Sequence, residues 1–355
     1  MRAVAYQKSL PIENEQALVD VELPTPEPQG RDLLVQVQAV SVNPVDTKVR
    51  KRTGAGPEQW KVLGYDAAGL VQATGPEATL FKPGDAVFYA GAIGRQGTNS
   101  EFHLVDERIV GRKPNSLDWA EAAAIPLTAI TAWEMLFDRL NVRRAVPGSA
   151  LAVLIVGGAG GVGSIAVQLA KKVAQLTVIA TASRSETKAW VQQLGAHHII
   201  DHSKPLAAQV KALGIGEPGL VFSTTNTDLH FAEVAELIAP QGRFGLIDDP
   251  PKFDIAVFKR KSDSIHWESM FTRSVFETPD MAGQGALLNE VSKLVDEGVL
   301  QTTLAENFGA INAQNIKRAH ALIESGRAKG KIVLEGFLPP TDRPDRKSAQ
   351  AQPAK

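Results

Sequence analysis

The stretch VGGAGGVG (156–163) places Gly158, Gly160 and Gly163 in the spacing G-x-G-x-x-G. That spacing alone is weak. Its context makes it specific, because the apolar run ALAVLIV precedes it and the helical pattern SIAVQLAKKVA (164–174) follows it. A strand that turns on glycine into a helix offers unpaired N–H groups and the positive end of the helix dipole to an anion. In such a cradle Gly158 makes the tight turn and Gly160 lets the backbone approach a pyrophosphate. Gly161 and Val162 open the helix with free amides, and Gly163 lets the helix pack closely on the sheet. The chemistry fits a dinucleotide. A P-loop is disfavoured, since GGVGSIA lacks the G-K-[ST] that reaches terminal phosphates and magnesium.

The segment TASRSETK (181–188) follows the next apolar run, LTVIA, about twenty residues beyond Gly163. An NAD site places a carboxylate there for the ribose hydroxyls, and that charge repels the extra phosphate of NADP. This chain offers Ser183 and Arg184, with Lys188 one turn farther on, and no acid before Glu186. Hydroxyl and guanidinium are phosphate-binding groups, so the segment predicts NADP(H). Ser183 and Glu186 also fit a capping box, which would assign the Ser183 hydroxyl to the helix instead. Both uses stay open.

These groups need a scaffold. Residues 1–115 read as strands separated by Pro and Gly: LLVQVQAVSV (33–42) alternates, KPGDAVFYAG (82–91) turns into a strand, and a short helix fits Asn43 to Arg50. At DWAEAAAI, Asp118 and Glu121 have capping-box spacing, Pro126 breaks the helical pattern, and LTAITAWEMLF resumes it. From 150 onward, apolar strands alternate with helices, among them ETKAWVQQLG closed by Gly195. That alternation predicts a parallel sheet covered on both faces. The amphipathic stretch ALLNEVSKLVDEGVL (286–300) is expected to complete this second domain, and GKIVLEGF (330–337) forms a late strand. The expected division is 1–126 completed by 300–338, a nucleotide-binding domain over 127–299, and a flexible tail over 339–355.

Composition narrows the chemistry further. The chain has 355 residues, a formal charge of −1 and no cysteine. The charge argues against nucleic acid as a partner. The missing thiols exclude disulfides, thiolate zinc sites and iron–sulfur ligation. The basic run KVRKR (48–52) reads as a solvated face or an anion site. No apolar stretch reaches membrane-spanning length, so a cytoplasmic protein is expected. The seven histidines are scattered; the adjacent His197 and His198 point to opposite faces of a strand, and no set has ligand spacing.

The layout resembles the medium-chain dehydrogenase/reductase superfamily, and its quinone oxidoreductase branch in particular. The resemblance rests on SVNPVDTKVR (41–50), GYDAAG (64–69), KPGDAV (82–87), AAAIPLTAITAW (122–133), GGAGGVG (157–163) and GKIVL (330–334). It implies an α/β fold: a GroES-like β-rich catalytic domain with a Rossmann domain inserted, the chain end returning to the first. Several bacterial proteins of this look are named zinc-type alcohol dehydrogenase-like. In zinc members a cysteine stands in the place of Asn43, a histidine in that of Tyr65 and a cysteine near Leu127. The residues present here do not make a tight zinc site, so no zinc is expected.

By the same resemblance, Asn43 and Tyr65 line the cleft beside the nicotinamide, Thr131 contacts the cofactor, and Asp46 holds the active-site loop. Tyr65 is open to three uses: packing group, pocket wall or proton donor. Asp66 follows it and is suited to orient a backbone or basic group. His202 replaces a tyrosine common in the family and would alter the ribose contact. STTNTD (223–228) and GLIDD (245–249) are further contact segments. SIHWESMFTR (264–273) is expected to be a dimer edge or a substrate rim. The implied activity is metal-independent transfer of hydride from NADPH to a quinone or α,β-unsaturated carbonyl by a homodimer. A carbonyl-reducing alcohol dehydrogenase and a nonenzymatic NADPH-binding redox sensor are the alternatives.

Overall fold

The computed structural model describes residues 1–56 and 58–337, so the tail expected over 339–355 lies outside the described residues. Asp32–Val42 alternates part-buried and buried side chains up to Ala39, as its sequence pattern dictates, and is buried throughout from there to Val42. It pairs antiparallel with Ala67–Thr74, Phe102–Asp106 and Lys331–Glu335, at the centre of a seven-stranded sheet. The late strand therefore lies in the first sheet, with Ile332 opposite Val42. Arg2–Tyr6 joins Val19–Glu22 and Lys61–Val62 in a separate three-stranded sheet.

The second sheet has six parallel strands. Their spatial order is His198–Ile200, Thr177–Thr181, Ala150–Val156, Pro218–Ser223, Arg243–Leu246 and Ser264–Trp267. The order reverses between Ala150–Val156 and Pro218–Ser223, and in such sheets ligands bind at the carboxyl ends of the strands at that reversal. Val153 and Ile155 face one apolar cluster while Leu154 and Val156 face another with Phe244 and Phe258, so both faces are covered. Among the described residues no helix is long and apolar enough to cross a membrane.

Two expectations gain detail. The helix Gly283–Asp296 packs on the helix Pro126–Trp133 and also tightly on the first domain, against Val110–Arg112. A β-carbon at Gly285 would stand 2.7 Å from the Arg108 carbonyl oxygen, and one at Gly111 would stand 2.5 Å from the Leu288 β-carbon. Glycine at both positions is what permits the contact. The basic run 48–52 is a solvated face only in part: Lys51 and Arg52 are exposed, whereas Arg50 is not. It lies in the helix Pro44–Arg52, where Arg50 is fully buried, donates to the Leu10 carbonyl and pairs with Glu324. Lys48 and Arg52 reach Asp249, beyond the strand Arg243–Leu246, at 3.3 and 3.7 Å. The charges tie the two domains together, which sequence spacing cannot show.

Candidate cofactor and active site

The glycine turn sits at the end of Ala150–Val156, at the reversal of strand order. Gly157, with φ 81°, takes the left-handed conformation in the tight turn that the spacing assigns to Gly158; a β-carbon there would also meet the Thr224 hydroxyl at 2.3 Å. Gly158 instead lies under the neighbouring strand, where a β-carbon would be 2.9 Å from that of Ala180. At Gly163 it would stand 2.2 Å from the Gly157 carbonyl oxygen, so the helix Gly161–Gln168 approaches the turn as closely as glycine allows. A β-carbon on Gly160 would meet only the Gly157 oxygen, at 3.5 Å, and otherwise open space. The first-turn amides of Gly161, Val162 and Gly163 have no preceding helical carbonyls to bond. This arrangement fits a pyrophosphate.

The corner beyond Thr177–Thr181 differs from the capping-box expectation. The helix Ser185–Leu194 starts one position late, with Arg184 as its cap and the Thr187 hydroxyl accepting from the Arg184 N–H at 3.2 Å. Glu186 does not cap Ser183; it pairs with the Arg184 guanidinium at 3.1 Å. Helix capping therefore does not use the half-buried Ser183 hydroxyl. The Arg184 guanidinium also donates to the Arg327 carbonyl at 2.9 Å, and Lys188 stands 4.0 Å from Asp201. His202 lies past the adjacent strand, its Nδ1 buried without a partner.

Sequence reasoning missed the segment RAKGK (327–331), read there only as the approach to a strand. Lys329 stacks over Trp190, and the Gly330 N–H bonds the Ala159 carbonyl within the glycine turn at 2.9 Å. The Lys331 stem lies 3.0 Å from where a Gly161 β-carbon would be. The one available signal was the density of cations beside a glycine, but only the tertiary pairing brings them to the cradle.

Across the turn is a buried polar floor. Asp66 accepts from Ser41 at 2.9 Å, Asn43 Nδ2 at 2.7 Å and Lys331 Nζ at 3.1 Å on one oxygen, and from the Leu127 N–H at 2.7 Å on the other. It thus orients both a backbone group and a basic one. Lys331 also donates to Asn43 Oδ1 and to the Val42 carbonyl. Both ends of the Asn43 amide are spent inside the protein, and Asn43 does not present a free donor to an acceptor. Asp46 accepts the Asn43 N–H at 2.7 Å and the Gly64 N–H at 2.9 Å, joining the start of helix Pro44–Arg52 to the turn before Tyr65. Burial pushes its carboxyl up to about 7, against the opposing effect of those two hydrogen bonds and of Lys331.

Tyr65 differs from its neighbours. Its ring is buried, and its hydroxyl has no hydrogen-bond partner. Burial, with the nearby Asp46 charge, raises the phenol above its usual range and keeps it protonated at neutral pH. Thr131, on the helix Pro126–Trp133, donates to the Leu127 carbonyl at 2.8 Å, leaving its oxygen only as an acceptor. Thr224 and Asp248 are likewise engaged internally: Thr224 with the Val156 carbonyl at 2.8 Å, Asp248 with the N–H and hydroxyl of Thr227.

A metal ion fits this floor poorly. Among the described residues no group of three or more His, Cys, Asp or Glu is arranged to hold one. Of the two carboxylates beside Asn43, Asp66 already faces the Lys331 ammonium and Asp46 is taken up by the Asn43 and Gly64 N–H groups. An amide oxygen, a phenol and the aliphatic Leu127 do not supply the tetrahedral nitrogen and sulfur set that zinc prefers.

Comparison with known proteins agrees with this architecture. Residues 29–115 match the alcohol dehydrogenase GroES-like domain, and residues 194–334 match the family described as zinc-binding dehydrogenase. A zinc-type alcohol dehydrogenase-like protein of Staphylococcus aureus is 40% identical over 339 residues, covering 94% of this chain and 99% of that protein. A crystal structure from Rhizobium etli, assigned by name to the zinc-dependent alcohol dehydrogenases, is 68% identical, with a TM-score of 0.93 over 95% of this chain and 98% of its own. The Escherichia coli quinone oxidoreductase, solved with NADPH, shares the fold at 22% identity, with a TM-score of 0.79 over 95% of this chain and 100% of its own.

Proposed function

The chain belongs to the medium-chain dehydrogenase/reductase superfamily of oxidoreductases, and we propose that it uses NADPH to reduce a quinone or α,β-unsaturated carbonyl without a metal ion. The observation that carries this reading is the open glycine cradle beside a corner holding Ser183 and Arg184. There the two nearby acids each face a cation, Glu186 the Arg184 guanidinium at 3.1 Å and Asp201 the Lys188 ammonium at 4.0 Å. Bound in that cradle, NADPH supplies a hydride. The free amides of Gly161, Val162 and Gly163 hold its pyrophosphate, while Arg184, Ser183 and Lys188 hold the 2′-phosphate. His202, with its unpartnered ring nitrogen, would serve the ribose, and the Thr131 oxygen would accept from the nicotinamide end.

On the acceptor side the donor is the Tyr65 hydroxyl, which is buried and has no hydrogen-bond partner. A conjugated acceptor spreads its developing charge over several atoms and needs only such a hydrogen bond. A simple aldehyde concentrates that charge on one oxygen and gains more from a metal. Asn43 and Asp46 act by holding the floor and the loop beneath Tyr65. The protein is further assigned as a homodimer joined at the edge strand Ser264–Trp267, where Trp267, Val275 and Phe276 leave an apolar surface exposed.

A stopped-flow panel of quinones, enones and simple aldehydes, followed by NADPH oxidation with and without chelator, tests the activity. Conjugated acceptors are expected to react at chelator-independent rates. Aldehyde reduction abolished by chelator would instead indicate a zinc alcohol dehydrogenase. Tight NADPH binding with no turnover on any acceptor would indicate a redox sensor.

A further inference from the structure

Lys331 is the least expected member of the site. Its side chain is 3% exposed and Asp66 is fully buried, so the pair forms a charged contact sealed from water. An ammonium has three N–H groups and accepts nothing. All three are spent, on the Val42 carbonyl, Asn43 Oδ1 and Asp66 Oδ2.

That saturation has a directional consequence. The two ends of an asparagine amide are nearly equal in size, and only their partners decide which way it faces. With a pure donor on one side and a carboxylate on the other, the Asn43 oxygen must face Lys331 and its NH2 must face Asp66. The other Asp66 oxygen holds the Leu127 N–H, at the start of the helix that carries Thr128 and Thr131. The Lys331 Cδ, two bonds from the ammonium nitrogen, lies against Gly161, and the preceding Gly330 N–H bonds the Ala159 carbonyl. One residue therefore touches the phosphate turn with its stem and the polar floor with its head.

We propose that Lys331 is a positioning residue. Its ammonium serves as the built-in cation of the active site, fixing the direction of the Asn43 amide and seating the helix Pro126–Trp133 against the glycine cradle. The kinetic part of this inference rests on the reductase reading, while its structural part does not. The mismatch between the zinc in the relatives' names and the donors present has the same origin: the position facing Asn43 and Asp66 is already taken by a positive charge.

The test compares Lys331→Met with the charge-neutral double variant Asp66→Asn/Lys331→Met. Removing one partner strands a buried carboxylate and is expected to lower thermal stability; removing both charges is expected to restore much of it. If Lys331 only supported folding, the double variant would regain activity together with stability. A positioning role predicts that it folds yet keeps kcat at least tenfold below wild type, with the KM for NADPH within threefold. Recovery of kcat to within threefold in the double variant, or loss confined to KM, would overturn the proposal. If Lys331→Met alone does not fold, the double variant carries the test. Should the wild type reduce no acceptor, the reductase reading fails separately, and crystal structures decide the inference: a rotated Asn43 amide and a shifted helix start in the double variant are expected. An unmoved Asn43 and helix would count against it.

Discussion

Tyr65 and Phe271 meet edge to face across the two domains, with ring centroids 5.4 Å apart and planes at 72°. Tyr65 precedes the strand Ala67–Thr74 of the first sheet, and Phe271 follows the edge strand Ser264–Trp267 of the second. The Phe271 segment is held at both ends, by Arg139 on Glu268 at 2.7 Å and by Arg273 on Glu134. The Tyr65 hydroxyl, buried and without a hydrogen-bond partner, thus sits beneath an aromatic cover held by the other domain.

Phe271→Ala should therefore do two things. Loss of the buried ring is expected to cost about 3 kcal/mol of stability, at the low end for such truncations because Phe271 is not fully enclosed. It should also raise kcat/KM for bulky conjugated acceptors relative to small ones, leaving NADPH affinity unchanged. Denaturant melts and an acceptor size series measure both; equal change for every acceptor would remove Phe271 from the pocket wall.

The two glycines at the mouth and root of the cradle should separate binding from folding. At Gly163 an added methyl meets backbone at 2.2 Å, so Gly163→Ala is expected to lower Tm sharply. At Gly160 it meets only open space beyond 3.5 Å, so Gly160→Ala should keep Tm and lose NADPH affinity at least tenfold. Thermal melts and fluorescence titration read the pair; a destabilised Gly160→Ala that still binds NADPH would invert the assignment.

Arg184 supplies the test of cofactor choice. A charge-assisted contact to a half-exposed guanidinium is worth about 1.5 kcal/mol, so Arg184→Ala should weaken NADPH roughly tenfold. NADH should weaken less than twofold. Calorimetric titration of both cofactors decides; parallel losses would mean that Arg184 acts through the helix it caps.

Much of the fold was legible because its signals are local. The alternation in 33–42, the Asp118–Glu121 capping box and the helix stop at Gly195 all appear where spacing places them. The glycine turn was found, yet its left-handed residue is Gly157, outside the G-x-G-x-x-G spacing, since spacing fixes a loop but not its dihedral angles. The polar floor was only partly legible. Asp66 and Asn43 belong to recognisable motifs, whereas Lys331 reaches them through a strand pairing closed by the last part of the described chain. Arg50 misled for a related reason: a charge inside a basic run looks solvated until the distant Glu324 is brought to it.

His320 links the fold to pH. It lies buried on the helix Ala313–Glu324, both ring nitrogens without partners, and burial followed by the charges of Arg50 and Lys51 pushes it down to about 3. Between its ordinary 6.5 and that value, the unfolded chain binds a proton that the folded chain does not. Stability from this group is therefore present at neutral pH and lost as pH falls through that window. His320→Leu should flatten the acid limb of a stability–pH curve from urea melts without abolishing it, because buried His103, lowered to about 4, acts in the same direction. An unchanged slope would show that His320 is hydrated in solution.

The most direct test follows the hydride itself. NADPH carrying deuterium at the transferred position of the nicotinamide is mixed with enzyme and an α,β-unsaturated ketone, and the product is examined by mass spectrometry and NMR. Direct transfer predicts one deuterium at the β-carbon of the saturated ketone, from one face of the cofactor, at a rate untouched by chelator. A reduced product without deuterium, or no product from any conjugated acceptor while NADPH remains bound, would contradict it.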